Sequence, residues 1–251
     1  MKLSVVIPCK NEVGVVDTLL SALADQTRPA DEIIVVDSHS TDGTATHVQK
    51  VGKKLPLIVT PATKKGVAEA RNHGGKKASG DVLLFLDADA NLASNFLENF
   101  LAEKHRRKLQ SGGFSQRMPS KSLGIRLGAR VMNGYARIMQ HTPWPIAFSV
   151  IFCDRVVFKK LGGFDAEIFI MEDYDFVYRS KKAGFRVGTI STPFYSSDRR
   201  FVGPDSPSIW RGVYAELYRY THGMRITKPL FEYEMGGKPK KTNQASSKND
   251  R

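Results

Sequence analysis

The residues best suited to chemistry are two acidic clusters: Asp87-Ala88-Asp89, with Asn91 just beyond it, and Glu172-Asp173 far downstream. Carboxylates alternating at a strand end can hold Mg2+ or Mn2+, hard cations that accept carboxylate, phosphate and water oxygens. The same residues also suit a plain solvated turn. Glu172-Asp173 opens a predicted helix, where negative charge is favourable against the dipole. A carboxylate held there can equally take a proton as a general base. Two more polar runs follow apolar stretches: Pro8-Cys9-Lys10-Asn11-Glu12 and Asp37-Ser38-His39-Ser40-Thr41-Asp42-Gly43-Thr44. Neither G-x-G-x-x-G nor G-x-x-x-x-G-K-S/T occurs, so both common glycine-rich phosphate cradles are missing. A bound phosphate would need another counter-charge, and a metal on Asp87-Ala88-Asp89 could supply it. No Ser-His-Asp set competes as nucleophilic machinery.

Apolar runs that end at these clusters must position them. Residues 3–7, 32–37, 55–60 and 81–87 read as buried parallel strands. The intervening 13–25, 44–52 and 67–78 read as helices, and another helix is expected over 95–110. Alternating strand and helix predicts a parallel sheet with crossover helices. Ligands of such sheets bind beyond the carboxyl ends of the strands, where the polar clusters fall. Residues 111–122 read as a strand or loop connection and 122–140 as a helix. A strand follows at 146–152, helices at 155–161 and 174–183, and a strand at 185–190. The segment 201–237 is a basic, aromatic extension, and the polar, lysine-rich 238–251 is expected to be a disordered tail.

Over 251 residues, 41% are hydrophobic and 25% charged, enough for a packed core and against global disorder. The formal net charge of +13 draws polyanions: nucleic acid, anionic lipid or phosphorylated small molecules. Cys9 and Cys153 lie in no C-x-x-C pair. They predict two separate core thiols, neither a disulfide framework nor a zinc site, and suit a reducing cytoplasm. Residues 1–8 are too soon interrupted for a signal peptide, and no apolar run nears the roughly 20 residues of a spanning helix. Any membrane contact is therefore expected to be peripheral, at the cytoplasmic face.

Six ordered segments resemble those of glycosyltransferase family 2. They are Val5-Val6-Ile7-Pro8-Cys9-Lys10-Asn11-Glu12, Ile34-Val35-Val36-Asp37 with the turn after it, and Lys65-Gly66-Val67-Ala68-Glu69-Ala70-Arg71-Asn72-His73-Gly74. Gly80 through Asp89, Leu161-Gly162-Gly163-Phe164-Asp165 and Glu172-Asp173-Tyr174-Asp175-Phe176 complete the set. The resemblance runs from about residue 3 to about residue 200. It implies a GT-A fold: an α/β, doubly wound, mostly parallel sheet with an acceptor-side extension and a basic C-terminal segment. Residues 1–110 would form the nucleotide-sugar half of a 1–200 domain and 111–200 the acceptor side.

The resemblance also implies roles. Pro8, Cys9, Asn11, Glu12, Asp37, Arg71, Asp87 and Ala88 would line the donor site. Glu12 and Asp37 would accept bonds from base or ribose, and Arg71 would reach the diphosphate or nucleoside. Asp89 would ligate Mn2+ or Mg2+ directly, with Asp87 near the ribose or a metal-bound water. Asn91 stands where related sequences carry a metal-contacting glutamine. Arg199 or Arg200 would close over the diphosphate. Asp173 would take the proton from the acceptor as its oxygen attacks the anomeric carbon, in a single inverting displacement.

The expected function is thus metal-dependent transfer of mannose or glucose from a nucleoside-diphosphate sugar to a hydroxyl or phosphate of a lipid-linked acceptor. The Asp-Ala-Asp-x-Asn segment favours GDP-mannose over UDP-glucose. A nucleic-acid-binding protein would leave both acidic clusters unexplained. A metal-dependent nucleotidyltransferase would release pyrophosphate instead of a nucleoside diphosphate.

One helix bears on the acceptor. Over 122–140, Arg126, Arg130 and Arg137 fall within a sector roughly 40° wide, beside a broad apolar sector containing Leu123, Leu127, Val131, Tyr135, Ile138 and Met139. This predicts either a helix lying in an anionic membrane interface or a core-facing helix with a basic edge.

Overall fold

The computed structural model describes residues 1–197 and 209–231. Its elements are, in order, β1 (Leu3–Cys9), α1 (Val16–Ala24), β2 (Glu32–Asp37), α2 (Thr44–Val51), β3 (Leu57–Pro61), α3 (Val67–Lys77), β4 (Val82–Phe85) and β5 (Ala90–Asn91). There follow α4 (Phe96–Arg107), β6 (Ser111–Arg117), α5 (Leu123–Met139), β7 (Ile151–Asp154), α6 (Arg155–Leu161), α7 (Glu172–Lys182), β8 (Val187–Ser196) and α8 (Ile209–His222). One sheet of eight strands carries them, in the order β3-β2-β1-β4-β7-β6-β8-β5. β1 pairs in parallel with β2 and β4, and β2 with β3. β7 reverses direction between β4 and β6, while β6 and β8 are parallel. The sheet is mixed α/β and of GT-A type.

The inner strands are apolar runs without alternation because helices cover both faces. Val5, Ile7, Ile33, Val35 and Leu84 face one core with Leu19, Leu23 and Phe96. Val6, Ile34, Val36, Leu83 and Phe85 face the other with Ala70, Phe158 and Phe164. Each fully buried side chain of this size contributes about 1.5–3 kcal/mol. Cys9 and Cys153 fall in opposite cores as free thiols.

α3 lies unusually close to the sheet. A Cβ on Gly74 would stand 2.3 Å from Val6 Cγ1, and one on Gly75 would stand 2.5 Å from the Phe158 ring. Arg71 and Asn72 stand just before these glycines on α3 and are buried with it. Asn72 donates to the Phe164 carbonyl at 2.8 Å and accepts from the Phe164 N–H at 2.7 Å. That clamp ties α3 to the Gly162-Gly163 turn before α7.

Two strands differ from the sequence expectation. The run 146–152 is strand only from Ile151; residues before it leave the sheet, with Ser149 at φ 51°. Ile146, Ala147 and Val150 are nonetheless buried, which is why the run reads as continuous strand. β8 extends well past residue 190. Its register on β6 jumps between Phe114/Ser115, so Ile190 pairs with Phe114 and Pro193 with Ser115. The irregularity accommodates the proline, which cannot donate to a ladder. It also masks the strand, because Ser191-Thr192-Pro193 reads as a stop. The short β5, paired antiparallel with β8, has no signal of its own. The predicted tail 238–251 lies outside the described residues.

Candidate active site

A cleft opens beyond the carboxyl ends of β1 and β4, closed on its far side by the start of α7. Pro8, Lys10, Glu12, Val67, Arg71, Asp87, Ala88 and Asp89 line one side. Ser149 and the stretch Phe169 to Tyr174 line the other. Asp87 and Asp89 thus face Glu172 and Asp173 across one space, with Glu12 at the rim.

Arg71 is the hub. Its guanidinium is 2% exposed; Nη1 donates to Glu172 at 2.6 Å, and Nη2 donates to Asp87 and to the Ser149 carbonyl, each at 3.0 Å. Burial opposes its charge, but Glu172 and Asp87 outweigh that and raise its pKa. These bonds engage it within the protein. The resemblance would send Arg71 to a ligand; in the structure it draws the Asp87 and Glu172 walls together.

Asp173 sits where that network ends. Its Oδ2 accepts the Ser149 N–H at 2.8 Å and its Oδ1 accepts the Tyr174 N–H at 3.0 Å. Burial, then the neighbouring Glu172, raise its pKa to about 7, against the lowering influence of Arg71 and the two N–H bonds. An acid poised near neutrality in a cleft suits proton transfer.

The nucleotide side of the rim is built by two loops locked together. Asn11, at φ 53°, donates its N–H to Ser40 Oγ and accepts from the Thr41 N–H, each at 2.9 Å. The buried Glu12 donates its N–H to Thr44 Oγ1 at 2.9 Å. Asp37 accepts from the Ser40 N–H through Oδ2 at 3.2 Å, while its Oδ1 is buried without a hydrogen-bond partner among the described residues. A buried, unpaired carboxylate oxygen is costly unless a ligand completes it.

Other expected residues are placed differently. The Cys9 side chain is wholly in the core, its thiol pKa pushed up by burial; only its carbonyl reaches the loops, accepting from Ser38 N–H at 2.7 Å. Asn91 is exposed and lines a separate shallow depression with Asp17, Ser21 and Asp25. Its Oδ1 accepts from the Leu92 N–H. Alternation along β5 turns Ala90 inward and Asn91 out. Arg199 and Arg200 lie outside the described residues.

Sequence reasoning gives no role to Lys10 or Ser149, and singles out Glu172 only as the partner of Asp173 at the start of α7. Lys10 is legible as the cation closely following the first strand-end proline. Ser149 is not, because its contribution is backbone geometry. Among the described residues, four of the five non-glycine residues at positive φ, namely Asn11, His39, Ser149 and Met171, stand in loops around this rim. Such conformations cost about 1–3 kcal/mol each and persist where surrounding bonds over-determine them.

Asp87 and Asp89 are the two candidate metal carboxylates of the cleft. Among the described residues no group of three or more His, Cys, Asp or Glu forms a complete cage. Two carboxylates nevertheless fit Mg2+ or Mn2+, which bind through one or two carboxylates together with substrate phosphates.

Acidic clusters at the strand ends of a GT-A sheet are the arrangement that the six sequence segments lead one to expect. The chain belongs to glycosyl transferase family 2, whose family model matches residues 4–161. It is 28% identical over 196 residues to a glycosyltransferase of Haemophilus influenzae, covering 70% of this chain and 61% of that protein. It is 41% identical over 91 residues to the dolichol-phosphate mannosyltransferase of Pyrococcus furiosus, covering 36% and 26% of the two chains. In structure it is similar to the mannosyltransferase PcManGT of Pyrobaculum calidifontis in complex with GDP-Man and Mn2+. That match has a TM-score of 0.66 at 24% identity and covers 78% and 56% of the chains. It is also similar to residues 1–349 of TarS from S. aureus in complex with UDP-GlcNAc, with a TM-score of 0.63 at 23% identity, covering 83% and 61%. The chain thus spans less than two thirds of the length of each of these proteins.

Proposed function

We propose that the chain transfers a hexose, with inversion, from a nucleoside-diphosphate sugar to a hydroxyl of a lipid-linked acceptor. The observation that carries this reading is Asp173, poised near pH 7, across one cleft from Asp87 and Asp89. As the acceptor O–H approaches, its proton passes to Asp173, its oxygen bonds to the anomeric carbon, and the bond to the diphosphate breaks on the opposite face. Asp37 Oδ1 and Glu12 hold the nucleoside. Asp87 and Asp89 would hold Mn2+ or Mg2+, which when bound neutralises the departing diphosphate. Lys10 adds positive charge at the same rim, and Arg199 and Arg200 are proposed to close over the phosphates. Arg71 holds the Asp87 wall and the Glu172 wall at a fixed distance.

A base near neutrality favours a hydroxyl acceptor over a phosphate one, since a phosphate is already ionised and needs no base. GDP-mannose is the favoured donor, supported by the likeness to the Pyrococcus and Pyrobaculum mannosyltransferases. A UDP-sugar is the second reading, supported by the likeness to TarS with UDP-GlcNAc. The test is a melting-temperature panel of GDP-mannose, UDP-glucose and UDP-GlcNAc, each with and without Mn2+. One donor should stabilise strongly and only with metal, by about 2.7 kcal/mol at a hundred times its Kd. Asp89→Ala should remove the metal-dependent part. Stabilisation by every donor that ignores Mn2+, in both proteins, overturns the metal assignment.

A further inference from the structure

We infer that the outward face of α5, continued by α8, docks the protein on an anionic lipid bilayer. The sequence leaves open whether the apolar sector of α5 faces the core. In the structure only one edge of it does: Met139, with Ala136, is buried and packs with Ile146, Tyr174 and Met224, and Tyr135 packs beside them. Asn133 fixes the rotation, accepting from the Gln116 N–H at 2.8 Å and donating to the Gln116 carbonyl at 2.7 Å. The rest of the apolar sector is consequently turned outward. Leu123 is 65% exposed, Leu127 53%, Val131 64% and Ile138 66%. On an ideal helix these four lie within about 80° of one another. Single exposed leucines are ordinary; an aligned stripe of four is not.

The stripe has neighbours of the same character. Tyr220 of α8 touches Tyr135 and Met139 of α5, and Tyr214, Leu217 and Tyr220 are each more than half exposed. Trp144, just past α5, is also half exposed.

Charge selects the occupant. Between Glu103 and Asp154 the chain has no acidic residue and nine Lys or Arg. Arg126 and Arg130 flank the stripe, exposed and without ion pairs among the described residues, as are Arg117 and Lys121. A second copy of the chain would meet these arginines with its own. A nucleic acid would pair with the arginines but leave Leu127, Val131 and Ile138 against water or phosphate. A bilayer with anionic headgroups satisfies both, and aromatic side chains suit its interface. Among the described residues no helix is long and apolar enough to cross a membrane, so α5 would lie in the interface.

The inner side of α5 shares one apolar cluster with Tyr174, against which Met171 also packs, and both of these line the cleft. A lipid-anchored acceptor head would therefore meet the cleft one helix away from its own bilayer. This deepens the proposed transfer by giving the acceptor a source, yet vesicle binding needs no donor and donor binding needs no vesicle. The two readings fail separately.

The test is co-sedimentation of the full chain with phosphatidylcholine vesicles and with vesicles containing phosphatidylserine, at low and high salt. Three proteins are compared: wild type, Arg126→Gln/Arg130→Gln, and Leu127→Gln/Val131→Gln/Ile138→Gln. All substituted positions face solvent and glutamine is a good helix former, so unchanged far-UV dichroism is the folding control. Wild type should prefer anionic vesicles, less so at high salt. The arginine variant should lose about thirtyfold on anionic vesicles, at about tenfold per 1.4 kcal/mol, and little on neutral ones. The leucine–valine–isoleucine variant should lose at least about tenfold on both. No wild-type binding to anionic vesicles at low salt overturns the inference. So does a concentration-dependent dimer abolished by the apolar substitutions. Vesicle binding that responds to the arginines but ignores the apolar stripe overturns it too, pointing to generic polyanion attraction.

Discussion

At the scale of single residues, the site turns on how one carboxyl is held. Asp173→Asn keeps the shape, but its single amide oxygen can accept only one of the two N–H bonds from Ser149 and Tyr174, and it cannot take a proton. Turnover should fall about 10²–10⁴-fold with donor-induced stabilisation retained. The wild-type rate should rise with pH through about 7 as Asp173 ionises, and the variant should lack that limb. Stability carries the opposite sign. The folded pKa lies above the ordinary 3.8, so the folded state binds the extra proton and wild-type stability declines as pH rises from about 4 through about 7. The melting temperature of Asp173→Asn relative to wild type should therefore rise from pH 4 to pH 8. An equal difference at both pH values would show that the carboxyl is not held protonated. Arg71 gives a complementary expectation. Arg71→Met strands Glu172 and Asp87 without their counter-charge, a loss of about 3–5 kcal/mol on the scale of broken buried pairs. A denaturation midpoint equal to wild type would rule out the hub role.

Secondary-structure elements set the distance between the acidic walls. α3 carries Arg71, Asn72, Gly74 and Gly75 in one and a half turns, and each meets a different neighbour. Arg71 takes the two walls, Asn72 takes the Phe164 backbone, and the glycines let the helix settle against Val6 and Phe158. Gly74→Ala should force Val6 and the helix apart, at a cost of about 1–3 kcal/mol in a packed core. It should also weaken turnover beyond what the lost stability explains, because Arg71 would shift with its helix. Wild-type kcat in a protein of lowered melting temperature would confine the glycine to packing. The motif is legible as a string of residues. Its physics is not, because the Val6, Phe158 and Phe164 contacts join residues far apart in sequence.

For the molecule as a whole, the two cysteines offer a probe of global opening. Cys9 and Cys153 lie in the cores on opposite faces of the sheet, both fully buried. Burial raises both thiol pKa values and leaves little reactive thiolate. Labelling of either by an aromatic disulfide should therefore require unfolding of the domain. A bound donor with Mn2+ should slow it about a hundredfold at a hundred times Kd. Rapid labelling of either cysteine in native buffer would show that the sheet opens locally.

Local sequence was enough for the family, the GT-A class, the strand–helix alternation of the first 90 residues and the identity of the acidic clusters. An apolar run buried on both faces looks the same in the string as in the sheet, and strand-end carboxylates follow directly from strand boundaries. Contacts between distant segments settled the rest. They turned Arg71 toward Glu172 and Asp87, sent Asn91 to the outer side of β5, sank the Cys9 thiol into the core, and bent residues 146–150 out of the sheet so that Ser149 could meet Asp173. They also chose which sector of α5 faces outward. Periodicity reports only that a helix has two unlike faces; the Gln116–Asn133 pair and the pocket around Met139 determine which of them meets the protein.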